Sequence, residues 1–180
     1  MSKASETFSQ SILDAEHLLK HFKLNTKPPP SDIEVLKRAG LVMAMTAWET
    51  YVEDRVAEAT DERLRSVGDE SIARLVRSKL KDEISRLHSP TFERTIELFR
   101  QYADVDLNGK WSWNGSDNEA TRKRLNDYIK LRGDVVHRSR SVQPGPPEPH
   151  PVKKDELEKA IRFLKALVQA TEVALTRPAS

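Results

Sequence analysis

Arg132 and His137, with four residues between them in "IKLRGDVVHRSR", are the side chains in this sequence best suited to phosphate chemistry. Arginine stays charged and grips phosphate oxygens through parallel N–H donors. Histidine takes or gives a proton near neutral pH. RNA carries its own nucleophile, the 2′-hydroxyl. Cleaving it needs a base for that proton, an acid for the leaving 5′-oxygen, and positive donors around the phosphorus. An arginine and a histidine can supply these parts, and the chemistry requires no metal.

Spacing alone leaves two readings open. On an unbroken helix, five residues rotate the side chain by about 140°, so the pair diverges. Gly133 is a poor residue for a helix interior. A bend there, a turn beginning at His137, or a second copy across a symmetric interface would bring the two groups together. In the structural reading, the helix dipole favours Arg132 near a helix C-terminus. Arg132 then pairs with Glu49, and His137 is a capping or surface residue.

The neighbourhood is basic. From Arg122 to Arg140 stand Arg122, Lys123, Arg124, Lys130, Arg132, Arg138 and Arg140, against Asp127 and Asp134. This local excess of positive charge exceeds the formal net charge of +2 on all 180 residues. A concentrated patch attracts phosphates even on a near-neutral protein. Arg122, Lys123, Arg124, Lys130, Arg138 and Arg140 are therefore candidate RNA-binding residues. A solvated basic helix face is the structural alternative.

The elements that must position these residues read as helices, because apolar residues recur at helical spacing and strand-like alternation is nearly absent. A first helix is predicted from about Ser5 to Phe22, and "NTKPPPSD" stops it. Ser31 and Glu34 read as a capping box for a long second helix, Asp32 to about Arg65. Leu41, Met45, Trp48, Val52 and Val56 form one stripe on it, with Met43, Ala47 and Tyr51 beside them. Glu49 sits among these residues, and a carboxylate there needs a partner.

A third helix is predicted from Glu70 to Leu87, through Ile72, Leu75, Val76, Leu80 and Ile84. Ser89 and Pro90 read as the N-cap and first turn of a fourth, carrying Phe92, Ile96, Phe99 and Tyr102. "DVDLNGKWSWNGSD" is a loop that Trp111 and Trp113 anchor. Ser116 and Glu119 read as a capping box for a fifth helix, with Leu125, Ile129, Arg132 and Val136 on one line. "SVQPGPPEPHP" is extended. The last helix, Lys154 to Thr176, buries Leu157, Ile161, Leu164, Val168, Thr171 and Leu175. The expectation is an all-α bundle of five to six helices in a single domain over 1–180. Residues 1–30 form the N-terminal helix and linker, and 138–153 a proline-rich loop before the last helix.

Several functions are disfavoured. The chain has no cysteine, which excludes disulfides, thiolate metal sites and cysteine nucleophiles. No run approaches the roughly 18 apolar residues of a membrane span, and "MSKASETFSQ" lacks a signal peptide's apolar core. A cytoplasmic location without membrane association is expected. His17 and His21 have a chelating i, i+4 spacing but no third ligand nearby, so no metal site is assigned. His88 and His150 lie at element boundaries without evident partners. Trp111 and Trp113 suit base stacking less well than loop anchoring. There is no glycine-rich phosphate loop or G-x-S-x-G elbow.

The "RGDVVH" motif, late in a helical bundle, resembles the signature of the HEPN superfamily: an arginine, four to six residues, then a histidine. "AWETYVEDRVAEA" resembles the aromatic-plus-glutamate helix of the bacterial RiboL-PSP-HEPN branch. "WSW…RLNDYIKLRGDVVHR" resembles that branch's tryptophan-bearing loop and motif helix. The resemblance runs from about Leu36 to Leu175. It implies a homodimer whose motif helices meet in a cleft. It further implies a metal-independent endoribonuclease that leaves 2′,3′-cyclic phosphate and 5′-hydroxyl ends, with no cofactor.

Such proteins act as toxins or in antiviral defence, with an antitoxin or another regulatory protein as partner. By the same resemblance Arg132 orients the scissile phosphate, His137 does acid–base work, and Glu49 supports them. Gly133 stands where the family usually has a polar residue. Asp134, one place later, takes over that function, or the site is weakened. Other members are non-catalytic interaction or nucleic-acid-binding modules.

Overall fold

The computed structural model describes residues 1–24, 30, 32–113, 116–137 and 152–176. Among these residues six helices form the bundle: α1 Lys3–Lys23, α2 Val35–Leu64, α3 Glu70–Ile84, α4 Phe92–Leu98, α5 Asn118–His137 and α6 Lys154–Thr176. Alpha-4 continues as a π-helical turn, Phe99–Ala103. Among the described residues there is no strand, only an isolated bridge between Trp113 and Ser116. The all-α expectation therefore holds. The proline-rich stretch from Arg138 to Pro151 lies outside the described residues, as does the Ser31 cap.

Alpha-2 is the axis of the bundle. Leu41, Met45, Trp48, Val52 and Val56 are all buried on it, as the stripe predicts, together with Ala47 and Tyr51. Met43 departs from the prediction and stands at the surface. Gly40 permits close packing here: a Cβ on it would lie 2.7 Å from Leu157 Cδ2 of α6. Trp48 and Trp111 meet edge to face, and Trp111 meets Phe92 the same way. Trp111 Nε1 donates to Thr171 Oγ1 at 3.0 Å. These contacts fix the long loop between α4 and α5 in the core, the anchoring predicted for Trp111. Trp113 packs on Phe163.

Several predicted helix ends move for identifiable reasons. Alpha-2 opens at Val35 rather than Asp32, after a turn, with no side-chain cap at Glu34. Alpha-3 stops at Ile84. It buries Ala73 and Leu80 while Ile72 and Leu75 face out, so its inner face is rotated from the predicted line. Thr91, not Ser89, caps α4, its Oγ1 accepting from Arg94 N at 3.2 Å. Pro90 instead is buried behind that cap, where its carbonyl accepts from Trp48 Nε1 at 3.2 Å. Asp117, not Ser116, caps α5, accepting from Ala120 N at 2.7 Å. Ser116 points inward and hydrogen-bonds Thr121 Oγ1. The Asp117 carboxylate, one residue later, reaches the free amides with a full charge.

A second, buried polar cluster ties the termini to α2. Glu172 Oε1 accepts from Ser2 Oγ at 2.9 Å, Tyr51 OH at 2.9 Å and Arg55 Nε at 3.0 Å. Glu58 Oε1 accepts from Ala4 N at 2.9 Å, satisfying a first-turn amide of α1. Burial, reinforced by Glu172, pushes the Tyr51 phenol far above its ordinary range. This cluster lies about 200° around α2 from Glu49, so it belongs to the opposite side of that helix.

Candidate functional site

Arg132 sits on α5, and three features fix that helix against its neighbours. Asp117 caps it. Leu125 is fully buried. Asn126 bridges to α4: its Oδ1 accepts from Phe92 N at 3.1 Å, and its Nδ2 donates to Glu93 Oε2 at 3.1 Å. Alpha-5 runs unbroken through Gly133 to His137, so the bend that would bring Arg132 and His137 together within one chain does not occur. The His137 side chain lies outside the described residues, as do Arg138 and Arg140.

The Arg132 guanidinium meets two other elements. Its Nη2 lies 3.6 Å from Glu49 Oε2 on α2, with side-chain exposures of 23% and 20%. Its Nη1 donates to the carbonyl of His88 at 3.5 Å, the outer limit of a hydrogen bond. Its Nε is buried and has no hydrogen-bond partner. Glu49 thus has the cationic partner its position demanded. The ion pair is longer than a direct hydrogen bond, and both side chains keep access to water. The guanidinium is held in place without its donors being used up, and such an arginine can still accept a phosphate.

The carboxylates here are perturbed. Burial pushes the Glu49 carboxyl above the usual range, and the charges of Arg132 and His88 only partly offset it. Glu53, one turn on, is also raised, first by burial and then by the Glu49 and Asp54 charges. Asp54 is raised by burial. Asp134 follows Gly133 on the half-buried part of α5.

His88 is the residue that sequence reasoning missed. It has no helical periodicity and no motif, and it looked like a boundary residue without a partner. The structure places its carbonyl on Arg132 and its imidazole within electrostatic range of Glu49.

The basic run is distributed around α5 rather than gathered on one face. Arg122 Nε donates to Glu93 Oε1 at 2.5 Å, and Lys123 Nζ to Asp127 Oδ2 at 2.8 Å. The Arg124 guanidinium stacks 5.7 Å from the centre of the Phe163 ring. Lys130 is exposed. Consecutive helical residues point about 100° apart, so Arg122, Lys123 and Arg124 cannot form one stripe. Lys123, Arg124, Asp127 and Tyr128 of α5, with Glu156 and Lys159 of α6, line a groove of about 560 Å³. Burial, with a contribution from Glu156, pushes the Tyr128 phenol there up to about 12. His17 is exposed, and among the described residues no group of three or more His, Asp or Glu is arranged to hold a metal ion. Among the same residues no helix is long and apolar enough to cross a membrane.

The fold and site together define an all-α bundle that presents a half-buried arginine, paired with a glutamate of its central helix, near the end of its fifth helix. Residues 8–177 match the family model described as RiboL-PSP-HEPN, and the chain belongs to that HEPN-type family. Neither the curated proteins nor the solved structures contain a significant match.

Proposed function

We propose that this protein is a metal-independent endoribonuclease that cleaves RNA to 2′,3′-cyclic phosphate and 5′-hydroxyl ends, acting as a toxin or a defence effector. The observation that carries the reading is the Arg132 guanidinium, held by Glu49 at 3.6 Å yet still open to solvent. Arg132 would bind the scissile phosphate and stabilise the charge that grows on it. His137, at the end of the same helix, would transfer a proton, and Asp134 would supply polar support beside Gly133. Lys130 and the groove around Arg124 offer contacts for the flanking phosphates, with Arg122 and Lys123 available where RNA competes with their intrahelical and α4 partners. Arg138 and Arg140 would extend that contact.

The proposed active form is a homodimer. Positions 132 and 137 lie about 140° apart around α5, so two copies of α5 packed together would complete the site. Val136, one turn after Arg132 and 49% exposed, is an apolar residue suited to such a contact. An antitoxin or other regulatory protein is the expected further partner.

The test is cleavage of mixed RNA in EDTA by wild type, Arg132→Ala and His137→Ala. Wild type should give cyclic-phosphate ends, and each variant should lose roughly 10²-fold or more. Equal cleavage by all three would refute the site. The second reading, a non-catalytic interaction or RNA-binding module, is favoured by one fact: Arg132 already has a carboxylate partner. Salt-sensitive RNA binding that survives His137→Ala, with no cleavage by wild type, would establish it.

A further inference from the structure

Transesterification of RNA involves two proton transfers on opposite sides of one phosphorus. The 2′-oxygen loses its proton to a base and bonds to phosphorus. The bond from phosphorus to the 5′-oxygen then breaks, and an acid gives that oxygen a proton. The products are a 2′,3′-cyclic phosphate and a 5′-hydroxyl, with protons and electrons balanced. One histidine on α5 can perform one of these transfers at a time, and the two oxygens lie on opposite sides of the phosphate.

The connection between α3 and α4 brings a second histidine, His88, to the same arginine through its backbone carbonyl. Leu87 is buried on one side of His88, and Pro90 on the other accepts from Trp48 Nε1 at 3.2 Å. Ser89 hydroxyl donates to the His88 carbonyl, and Thr91 N donates to the Ser89 carbonyl at 2.8 Å. The backbone is pinned at each step while the His88 side chain stays exposed. Trp48 is the neighbour of Glu49 on α2, so the bond that fixes this connection also fixes its position relative to Glu49. The His88 carbonyl accepts from Arg132 Nη1. Three elements thus converge: Glu49 from α2, His88 from the connection, and Arg132 from α5.

We infer that His88 is a catalytic residue, the general acid that protonates the leaving 5′-oxygen of RNA bound at Arg132. The inference rests on the endoribonuclease reading above. The His88 charge bears on the Glu49 carboxyl, the same carboxylate that pairs with Arg132 at 3.6 Å, and the exposed imidazole is open to an RNA bound there. The other charged groups at this place are Arg132 on α5 and, beyond Glu49, Glu53 on α2. His137 is then free to serve as the base.

The test compares wild type, His88→Gln and Arg132→Ala on two substrates: an ordinary oligoribonucleotide, and one with sulfur in place of the bridging 5′-oxygen at a single linkage. A thiolate leaves without taking a proton. His88→Gln should cut cleavage of the all-oxygen RNA by roughly 10²–10⁴-fold and flatten the alkaline limb of its pH–rate profile. It should cleave the sulfur-bridged RNA at close to the wild-type rate, and that retained rate also shows the variant is folded. Arg132→Ala should be impaired on both substrates.

Equal loss on both substrates with an unchanged pH profile would make His88 a loop residue that only positions Arg132, and would overturn the inference. Wild-type rates on both would overturn it as well, while leaving the nuclease reading intact if Arg132→Ala is inactive. No cleavage by wild type would overturn the nuclease reading and the inference together.

Discussion

Glu49→Gln removes one charge at the site and keeps the shape of the side chain. Across the 3.6 Å to Arg132, unit charges attract by roughly 5 kcal/mol at an effective dielectric constant of 20 and by roughly 1 kcal/mol in water. Against this stands the cost of withdrawing a carboxylate from water, on the order of several kcal/mol for a fully buried ion. Both side chains retain about a fifth of their exposure, so both terms shrink toward their aqueous limits. The direction of the Glu49 shift decides the balance. Burial raises it, and Arg132 and His88 do not bring it back. The ionised carboxylate is therefore held at a net cost to the fold.

An acid whose folded value is raised contributes most below its unfolded value, where both states are protonated. That contribution is lost as pH rises through the folded value, so at pH 7 the full cost remains. Loss of the Arg132 attraction is already within this balance, because protonating Glu49 removes the same attraction.

Glu49→Gln should thus leave stability at pH 7 unchanged or raise it by up to about 1 kcal/mol, roughly 2–4 °C in Tm. The difference should vanish as the pH falls below the ordinary carboxylate range. Cleavage of RNA should fall, because Arg132 loses the carboxylate that holds it. The assay is a thermal melt of both proteins at pH 7 and pH 4, with RNA cleavage measured on the same preparations. A drop in Tm of more than about 2 °C at pH 7 would refute the reasoning. It would make the pair a net stabilising anchor rather than a charge kept at a cost.

Two further outcomes follow from the geometry. Glu172→Ala should destabilise the fold by roughly 3 kcal/mol, about 6–12 °C in Tm, because Arg55 is left buried without its main carboxylate. Cleavage below the melting range should be retained, since this cluster lies on the far side of α2 from Glu49. Gly133→Ala should stabilise by about 1 kcal/mol, because the position is helical and a Cβ there would meet nothing within 4 Å. A melt would show the gain, and loss of cleavage in that variant would mean that the glycine is needed for a movement of α5.

Much of the bundle was legible because helical burial repeats along the chain. The stripes on α2 and α6 predicted buried residues almost one for one, with Met43 and the half-buried Leu175 as departures. Alpha-3 was harder. Its apolar residues Ile72 and Leu75 form a plausible stripe, but the face that packs is chosen by where α2 lies, and that face carries Ala73 and Leu80. Cap positions shifted by one or two residues because Thr91 and Asp117 compete with the nearby Ser89 and Ser116. Sequence lists the candidates for a cap, and the path of the chain selects among them.

The sequence by itself determined the helical class, the family resemblance, the Arg132 motif and the need of Glu49 for a cation. Each of these depends on residue type and local spacing. Only the tertiary structure decided that the cation is Arg132, that α5 passes through Gly133 without a break, and that much of the basic run is engaged by neighbouring side chains. It alone brought His88 to the site, across 44 residues of chain from Arg132. No periodicity encodes that approach. It arises because Trp48 and Pro90 pin a short connection against the central helix, and packing of this kind joins residues that are distant in sequence.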